Sequence, residues 1–300
     1  MCIIFSMETF RLDYKNPSNK FKALSLCLGY FDGIHLGHQS LIKYAKKNAK
    51  YDLGLLTFSQ PISTFVENGK RKSLISSLND RSEIVEKLGI KYYFILEIDK
   101  AFIELSADDF ISYLNAIGVK EIFVGKDFKY GNKALGTLEK LENNFIVHAI
   151  DIENIDGRKI SSQRIRELIE AGELENTYKL LGYNYTISGS VIHGKNIGTK
   201  IGYPTLNLKL NDNYLLPKRG VYKTICHVDG KLYSSITNVG LKPTLNEKEL
   251  SIEVHLMNFN EKVYGKDVKV EFVNFIREEK KFNSLDDLAK QIKKDIESNF

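Results

Sequence analysis

The spacing of apolar positions changes near the middle of this chain. In the first 180 residues, short apolar runs alternate with stretches of helical period. Leu24–Leu28 is a continuous apolar run, as expected of a strand buried on both faces. Residues 37–50 follow with a helical pattern and a lysine-rich outer face. Residues 53–58, 92–98 and 122–125 read as further strands, a turn falls at Gln60-Pro61, and residues 80–88 and 106–117 read as helices. Ser106 is a good N-cap for the last of these, with Asp108 and Asp109 in its first turn. Strands alternating with helices imply a parallel sheet covered by helices on both faces.

Past residue 184 the helical period is lost until the C-terminus. Residues 185–192, 220–229 and 231–239 read as strands. Asp229-Gly230 between the last two is a strong hairpin signal. Residues 251–257 alternate strictly, with Ile252, Val254 and Leu256 on one face and Glu253 and His255 on the other. Residues 268–275 add a strand, and 286–298 form an amphipathic closing helix. This half predicts an antiparallel barrel or sandwich with one terminal helix. The boundary falls at Leu181-Gly182, where a helix ends on glycine, giving domains 1–182 and 183–300.

Composition narrows the classes. A chain of 300 residues suits two domains, and 43% hydrophobic residues exclude a mainly disordered one. The three cysteines, Cys2, Cys27 and Cys226, make neither a disulfide framework nor a metal-site spacing. A reducing, cytoplasmic setting follows. The net charge of +5 is mild and neither half concentrates basic residues, which argues against nucleic acid as a partner. No apolar run approaches the ~18 residues of a membrane span. The opening Met1-Cys2-Ile3-Ile4-Phe5 is a poor signal peptide, and Met7 is an alternative start. A monomer or weak oligomer acting on small molecules is expected.

Three motifs of the first half sit after strands or open helices. Gly29-Tyr30-Phe31-Asp32-Gly33-Ile34-His35-Leu36-Gly37-His38 leads from the first strand into a helix. Loops at the carboxyl ends of parallel strands are where such sheets bind ligands, and a helix N-terminus attracts phosphate. Two histidines three residues apart can both donate to a triphosphate. A glycine-rich turn with surface histidines is the plainer alternative. Val124-Gly125-Lys126-Asp127-Phe128-Lys129-Tyr130-Gly131 also follows a strand. Ile160-Ser161-Ser162-Gln163-Arg164-Ile165-Arg166 opens a helix, and its serines and Arg166 suit phosphate oxygens.

In the second half, the stretch from His193 to Asn207 carries Gly194, Gly198 and Gly202 with Lys195 and Lys200, a loop able to cover phosphates. If residues 204–208 are extended, Thr205 and Asn207 share a side and can offer oxygens to Mg²⁺. Glu253 can take a proton from a substrate hydroxyl as it attacks a γ-phosphate. A turn cap at Thr205 or Asn207 and a solvated Glu253 are the plainer readings.

Taken in order, these motifs resemble those of bacterial bifunctional riboflavin kinase/FAD synthetases, over about residues 22–296. The similarity extends through Gly220-Val221-Tyr222, Asn238-Val239-Gly240-Leu241-Lys242-Pro243-Thr244, Glu253-Val254-His255-Leu256, Tyr264-Gly265 and Ile276-Arg277. The resemblance implies an α/β, Rossmann-like HxGH nucleotidyltransferase domain followed by an antiparallel β-barrel riboflavin kinase domain with a terminal helix. It implies riboflavin phosphorylation to FMN, then AMP transfer from ATP to FMN, with Mg²⁺ beside ATP. Gly29, Asp32 and Gly33 would line ATP with the catalytic His35 and His38. Ser161, Ser162 and Arg166 would close over the triphosphate. Asp127, Phe128 and Arg277 would lie by flavin, Thr205 and Asn207 would hold the metal, and Glu253 would be the general base. Tyr30 stands where the family usually has Asn, Ser59-Gln60-Pro61 where it has Pro-His-Pro, Gln163 for a common Thr, and Thr199 and Lys242 for Arg. Two rivals remain: a mainly monofunctional kinase with a weakened adenylyltransferase domain, and a flavin- or nucleotide-binding regulator without turnover.

Overall fold

The computed structural model describes residues 6–17, 20–66, 72–151, 154–194, 196–243 and 248–300, with the side chains of 242–243 and 248–249 left aside. Lys195, expected at phosphate, and Thr244 of the Asn238 motif lie outside the described residues, and the side chain of Lys242 is not described. The chain divides into two compact units, Met1–Ser161 and Ser162–Phe300.

In the first unit, β1 (Glu8–Asp13), β2 (Leu24–Leu28), β3 (Asp52–Phe58), β4 (Tyr92–Glu97), β5 (Val119–Gly125) and β6 (Ile146–Ile150) form one sheet. Its order is β1-β4-β3-β2-β5-β6, and every pairing is parallel. Strand order reverses direction around β2, so the loop leaving β2 opens at the sheet's switch point. Successive residues of a strand feed opposite cores. Leu24, Leu26 and Leu28 pack with Phe94, Phe110 and Leu114 on one face, and Cys27 packs with Leu41, Ile42, Ala45 and Val85 on the other. The covering helices are α1 (Leu36–Asn48), α2 (Ser63–Val66), α3 (Leu78–Lys87), α4 (Lys100–Ile103), α5 (Ala107–Ala116) and α6 (Leu138–Glu142). Ser106 caps α5 by accepting the Asp109 N–H, as its sequence predicts. A two-stranded ribbon, β7 (Asn154–Ile155) and β8 (Arg158–Lys159), ends the unit.

The sequence pattern missed β1 and β6. Both are edge strands: β1 alternates apolar with polar residues, and His148 interrupts the apolar run of β6.

The second unit begins with α7 (Ser162–Ala171) and α8 (Leu174–Leu181). Helix α8 ends on Gly182 in the left-handed conformation, φ 79°. It packs on β9 (Tyr185–Ile192) and β14 (Asp267–Arg277). The short α9 (Ile197–Lys200) precedes β10 (Leu206–Leu210), and β11 (Gly220–Val228), β12 (Lys231–Pro243) and β13 (Lys248–Leu256) complete a closed barrel in the order β10-β13-β12-β11-β14-β9. Between a barrel and a sandwich, the strands chose closure, which leaves no unpaired edge. The β11–β12 hairpin turns on Asp229 and Gly230 alone, with φ 49° and 77°, as a two-residue turn of matching twist requires. Ile252, Val254 and Leu256 are buried in the barrel interior, so Glu253 and His255 face outward. The terminal helix α10 (Leu285–Glu297) is tied to β14 where Arg277 forks onto the buried Asp295, 2.8 Å at the guanidinium NH2.

Candidate active sites

In the first unit, the loop from β2 to α1 holds a costly backbone. Phe31, Gly33 and Ile34 all have positive φ, at 54°, 80° and 36°. Only glycine adopts such angles freely, and each of the others stores about 1–3 kcal/mol. Burial anchors the strained residues, since Phe31 and Ile34 both lie in the core. Asp32 is buried too, and its carboxylate accepts the N–H groups of Ile75 and Ser76, both at 3.1 Å. The Gly33 N–H donates to Ser76 Oγ at 2.8 Å. Gly29 extends β2 by donating to the Leu56 carbonyl, with the Phe31 ring against its Cα. Gly29, Asp32 and Gly33 therefore shape the loop through its own framework.

His35 is the N-cap of α1, and its Nδ1 accepts the His38 N–H at 3.3 Å. An accepting Nδ1 places the proton of the neutral ring on Nε2, which is left as a donor. The two imidazoles stack at 3.6 Å and 14°, and the Phe31 ring meets His38 edge-on at 5.0 Å. Burial pushes His35 down to about 4, helped by nearby Lys159 and opposed by a backbone hydrogen bond. Burial also holds His38 well below the ordinary histidine value, with His35 and Arg81 adding repulsion. Both rings are neutral at pH 7. His38 Nδ1 is buried and has no partner among the described residues, which is unusual for a polar atom and marks a place prepared for a ligand.

The second loop follows β5. Asp127 is exposed and pairs with Lys159 of β8, the lysine that also acts on His35. Phe128 is half-buried and stacks on Tyr130 at 5.9 Å. Lys159 thus links two motifs that the sequence separates, and the sequence pattern did not single it out. Nor did it single out Arg81, a fully buried guanidinium beneath the first loop. Ser161 closes the first unit. Ser162 opens α7 in the second, where Arg166 is buried.

In the second unit, strand register assembles the site on the barrel's outer face. Asn207 of β10 lies opposite Glu253 of β13, and Glu253 lies opposite Asn238 of β12. Directly opposed residues share a face, so the three polar side chains form one row across adjacent strands. Thr205 sits two residues before Asn207, at the entry to β10. Gly194 passes so close under the Asn207 amide that any Cβ there would overlap it. Gly198 likewise leaves room for the Tyr203 carbonyl, and Gly202 turns at φ 83°. Lys200 ends α9, exposed on this loop. His255, one outward position from Glu253, donates from Nδ1 to the Pro204 carbonyl at 2.8 Å and so fixes the backbone just before Thr205. At the row's other end the Glu279 carboxylate lies over Gly240, beside the Asn238 amide. Asn238, His255 and Glu279 were not foreseen as site residues; the register that places them is tertiary. Arg277 spends Nε and NH2 on Asp295 and NH1 on the Glu278 carbonyl, so it anchors α10.

No three His, Cys, Asp or Glu side chains converge as a metal cage among the described residues. The hydroxyl of Thr205 and the amide oxygen of the buried Asn207 are hard oxygen donors, the type Mg²⁺ takes when nucleotide phosphates supply the rest. The donor set therefore fits that ion.

The comparisons with known proteins match one family to each half of the chain. The family model for FAD synthetase matches residues 18–167, and that for riboflavin kinase matches residues 181–299. A bifunctional riboflavin kinase/FMN adenylyltransferase of Listeria monocytogenes is 37% identical over 96% of each chain. One from Bacillus subtilis is 38% identical over 90% of this chain and 89% of its own. A crystal structure described as a macrolide-efflux protein from Streptococcus pneumoniae superposes with a TM-score of 0.87 at 31% identity, covering 97% of this chain and 99% of that one. Among the described residues here, no helix is long and apolar enough to cross a membrane. With both halves matched and full-length relatives well above 30% identity, the chain belongs to the family of bifunctional riboflavin kinase/FMN adenylyltransferases.

Proposed function

We propose that this chain phosphorylates riboflavin with ATP in its barrel and then adenylylates the resulting FMN in its α/β unit, releasing pyrophosphate. The observation that carries the reading is one phosphate-type loop in each compact unit, each beside polar groups of suitable chemistry. We assign residues 1–182 to the second reaction and 183–300 to the first.

In the barrel, the riboflavin 5′-hydroxyl oxygen attacks the γ-phosphorus of ATP, and the bond from that phosphorus to the β,γ-bridging oxygen breaks. Glu253 takes the hydroxyl proton. Asn207 and Thr205 would hold the metal, and Gly194, Gly198, Gly202 and Lys200 would cover the phosphates. When bound, Mg²⁺ offsets the charge of the β- and γ-phosphates. His255 keeps the Pro204-Thr205 backbone in place.

In the α/β unit, a phosphate oxygen of FMN attacks the α-phosphorus of ATP and pyrophosphate leaves. His35 and His38, both neutral, donate hydrogen bonds to the charge that grows there, and the N-terminus of α1 adds its dipole. Asp127 and Phe128 border the flavin, and Ser161 acts on the triphosphate. The chain works on small molecules, in the reducing cytoplasm that its buried free Cys27 and Cys226 suit.

Chromatography of products formed from riboflavin, ATP and Mg²⁺ tests this. FMN followed by FAD is expected. FMN without FAD or pyrophosphate would favour the monofunctional kinase, and bound riboflavin without ATP consumption would favour the regulator.

A further inference from the structure

We propose that Arg81 is a positioning residue of the adenylyl-transfer centre: its planar guanidinium ties the two anchors of the strained histidine loop, Tyr30 and Ser76, to the end of β3. The inference rests on the reading of that loop as the nucleotide site.

Arg81 belongs to α3 and is 1% exposed, an expensive place for a charge. Every hydrogen bond it donates goes to a neutral oxygen. Nε and NH2 reach the Ser76 carbonyl at 3.3 and 3.2 Å. NH1 reaches the Tyr30 carbonyl at 2.8 Å and Thr57 Oγ1 at 3.2 Å, and NH2 reaches the Tyr30 hydroxyl at 3.3 Å. The Tyr30 ring lies 4.6 Å from the guanidinium carbon. One planar fork thus ties together Tyr30, two residues past β2, the end of β3 and the 75–77 turn.

Those are the segments that hold the histidine loop. The Tyr30 carbonyl, also held by Thr57 Oγ1 at 2.7 Å, immediately precedes Phe31 with its positive φ. Ser76 takes the Gly33 N–H, and its own N–H goes to Asp32. A strained loop keeps its shape only when its surroundings over-determine it. Arg81 holds both of the loop's anchors, Tyr30 and Ser76.

The fork also carries charge. His38 is faced by the ring of His35, by Phe31 and by the field of Arg81, and His35 by that of Lys159. Asp32 acts on Arg81 from the loop itself. Burial does most to hold His38 neutral, and repulsion from His35 and then from the Arg81 guanidinium adds to it. Tyr30, which departs from the usual Asn of the family pattern, supplies two of the five hydrogen bonds and the aromatic face.

The test is steady-state FAD formation from FMN and ATP, against pH, in the full chain. Arg81→Met should lower kcat about 100-fold, as expected for a displaced catalytic group, and move the acidic limb of the pH–rate profile to higher pH. Arg81→Lys keeps the charge without the planar fork, so kcat should fall while the limb stays. Thr57→Val removes one shared hydroxyl and no charge, and should lower kcat about tenfold with the limb unmoved; it carries the test if Arg81→Met does not fold. A kcat for Arg81→Lys and Thr57→Val equal to that of the unaltered chain would overturn the positioning role. An unmoved acidic limb in a folded Arg81→Met would overturn the electrostatic one. An unaltered chain that makes no FAD would overturn the nucleotide-site reading along with both.

Discussion

The two phosphate loops of this molecule solve the same electrostatic problem in opposite ways. The histidine loop of the α/β unit is sunk in the sheet, strained at Phe31 and Ile34, and clamped by Asp32, Ser76 and Arg81. Its donors are neutral and prearranged, and a helix N-terminus stands behind them. The glycine loop of the barrel lies on an outer surface, and its glycines make room for Asn207 and for the Tyr203 carbonyl. Its chemistry needs oxygen ligands and a carboxylate, which cross-strand register supplies. In the proposed reading, the buried loop would meet the phosphate charge with preorganised dipoles, and the surface loop would rely on a metal ion beside Thr205 and Asn207.

Substitutions can break this contrast one side at a time. The largest effect is expected at Glu253→Gln, which should slow riboflavin phosphorylation about 1,000-fold by removing the proton acceptor, while FMN-to-FAD conversion stays unchanged. Equal loss in both reactions would contradict separate sites. His38→Ala should do the reverse, lowering FAD formation about 100-fold with FMN accumulating from riboflavin.

Acid should act on the buried loop alone. His35 is held at about 4 in the folded chain against an ordinary value of about 6.5. Below pH 6.5 the unfolded chain takes up a proton that the folded one refuses. Stability present at pH 7 is therefore lost as the pH falls from about 6.5 to about 4, by about 3 kcal/mol for this group. Thermal melting of the α/β unit followed across that window should show the loss, and His35→Gln should lessen it, leaving the part due to His38. The smallest effect is expected at Gly194→Ala, whose methyl group would displace the Asn207 amide. Riboflavin phosphorylation should drop about tenfold, mainly as a higher requirement for Mg²⁺, since one metal-ligand contact is disturbed. A metal dependence identical to that of the unaltered chain would separate Asn207 from the metal.

Much of this architecture was legible in the residues. The alternation of Ile252, Val254 and Leu256 set which way Glu253 faces, and Asp229-Gly230 set the hairpin. The apolar run Leu24–Leu28 marked a doubly covered strand, and the motif after it marked the loop that leads into α1. Strands β1 and β6 were not legible, because β1 alternates apolar with polar residues and His148 breaks the apolar run of β6. Arg277 illustrates a different limit: the motif places it near flavin, yet its fork is directed to Asp295, eighteen residues later on α10.

The chain's own order of apolar and polar residues determined its elements, their faces and the two glycine-bearing loops, because period, turn chemistry and capping act between near neighbours. Tertiary structure alone decided that Asn207, Glu253 and Asn238 stand in one row, that Lys159 pairs with Asp127 while acting on His35, and that Arg81 reaches both Tyr30 and Ser76 at the base of the histidine loop. Those placements depend on register and burial between segments tens of residues apart, and the energies that fix them exist only once the cores have closed.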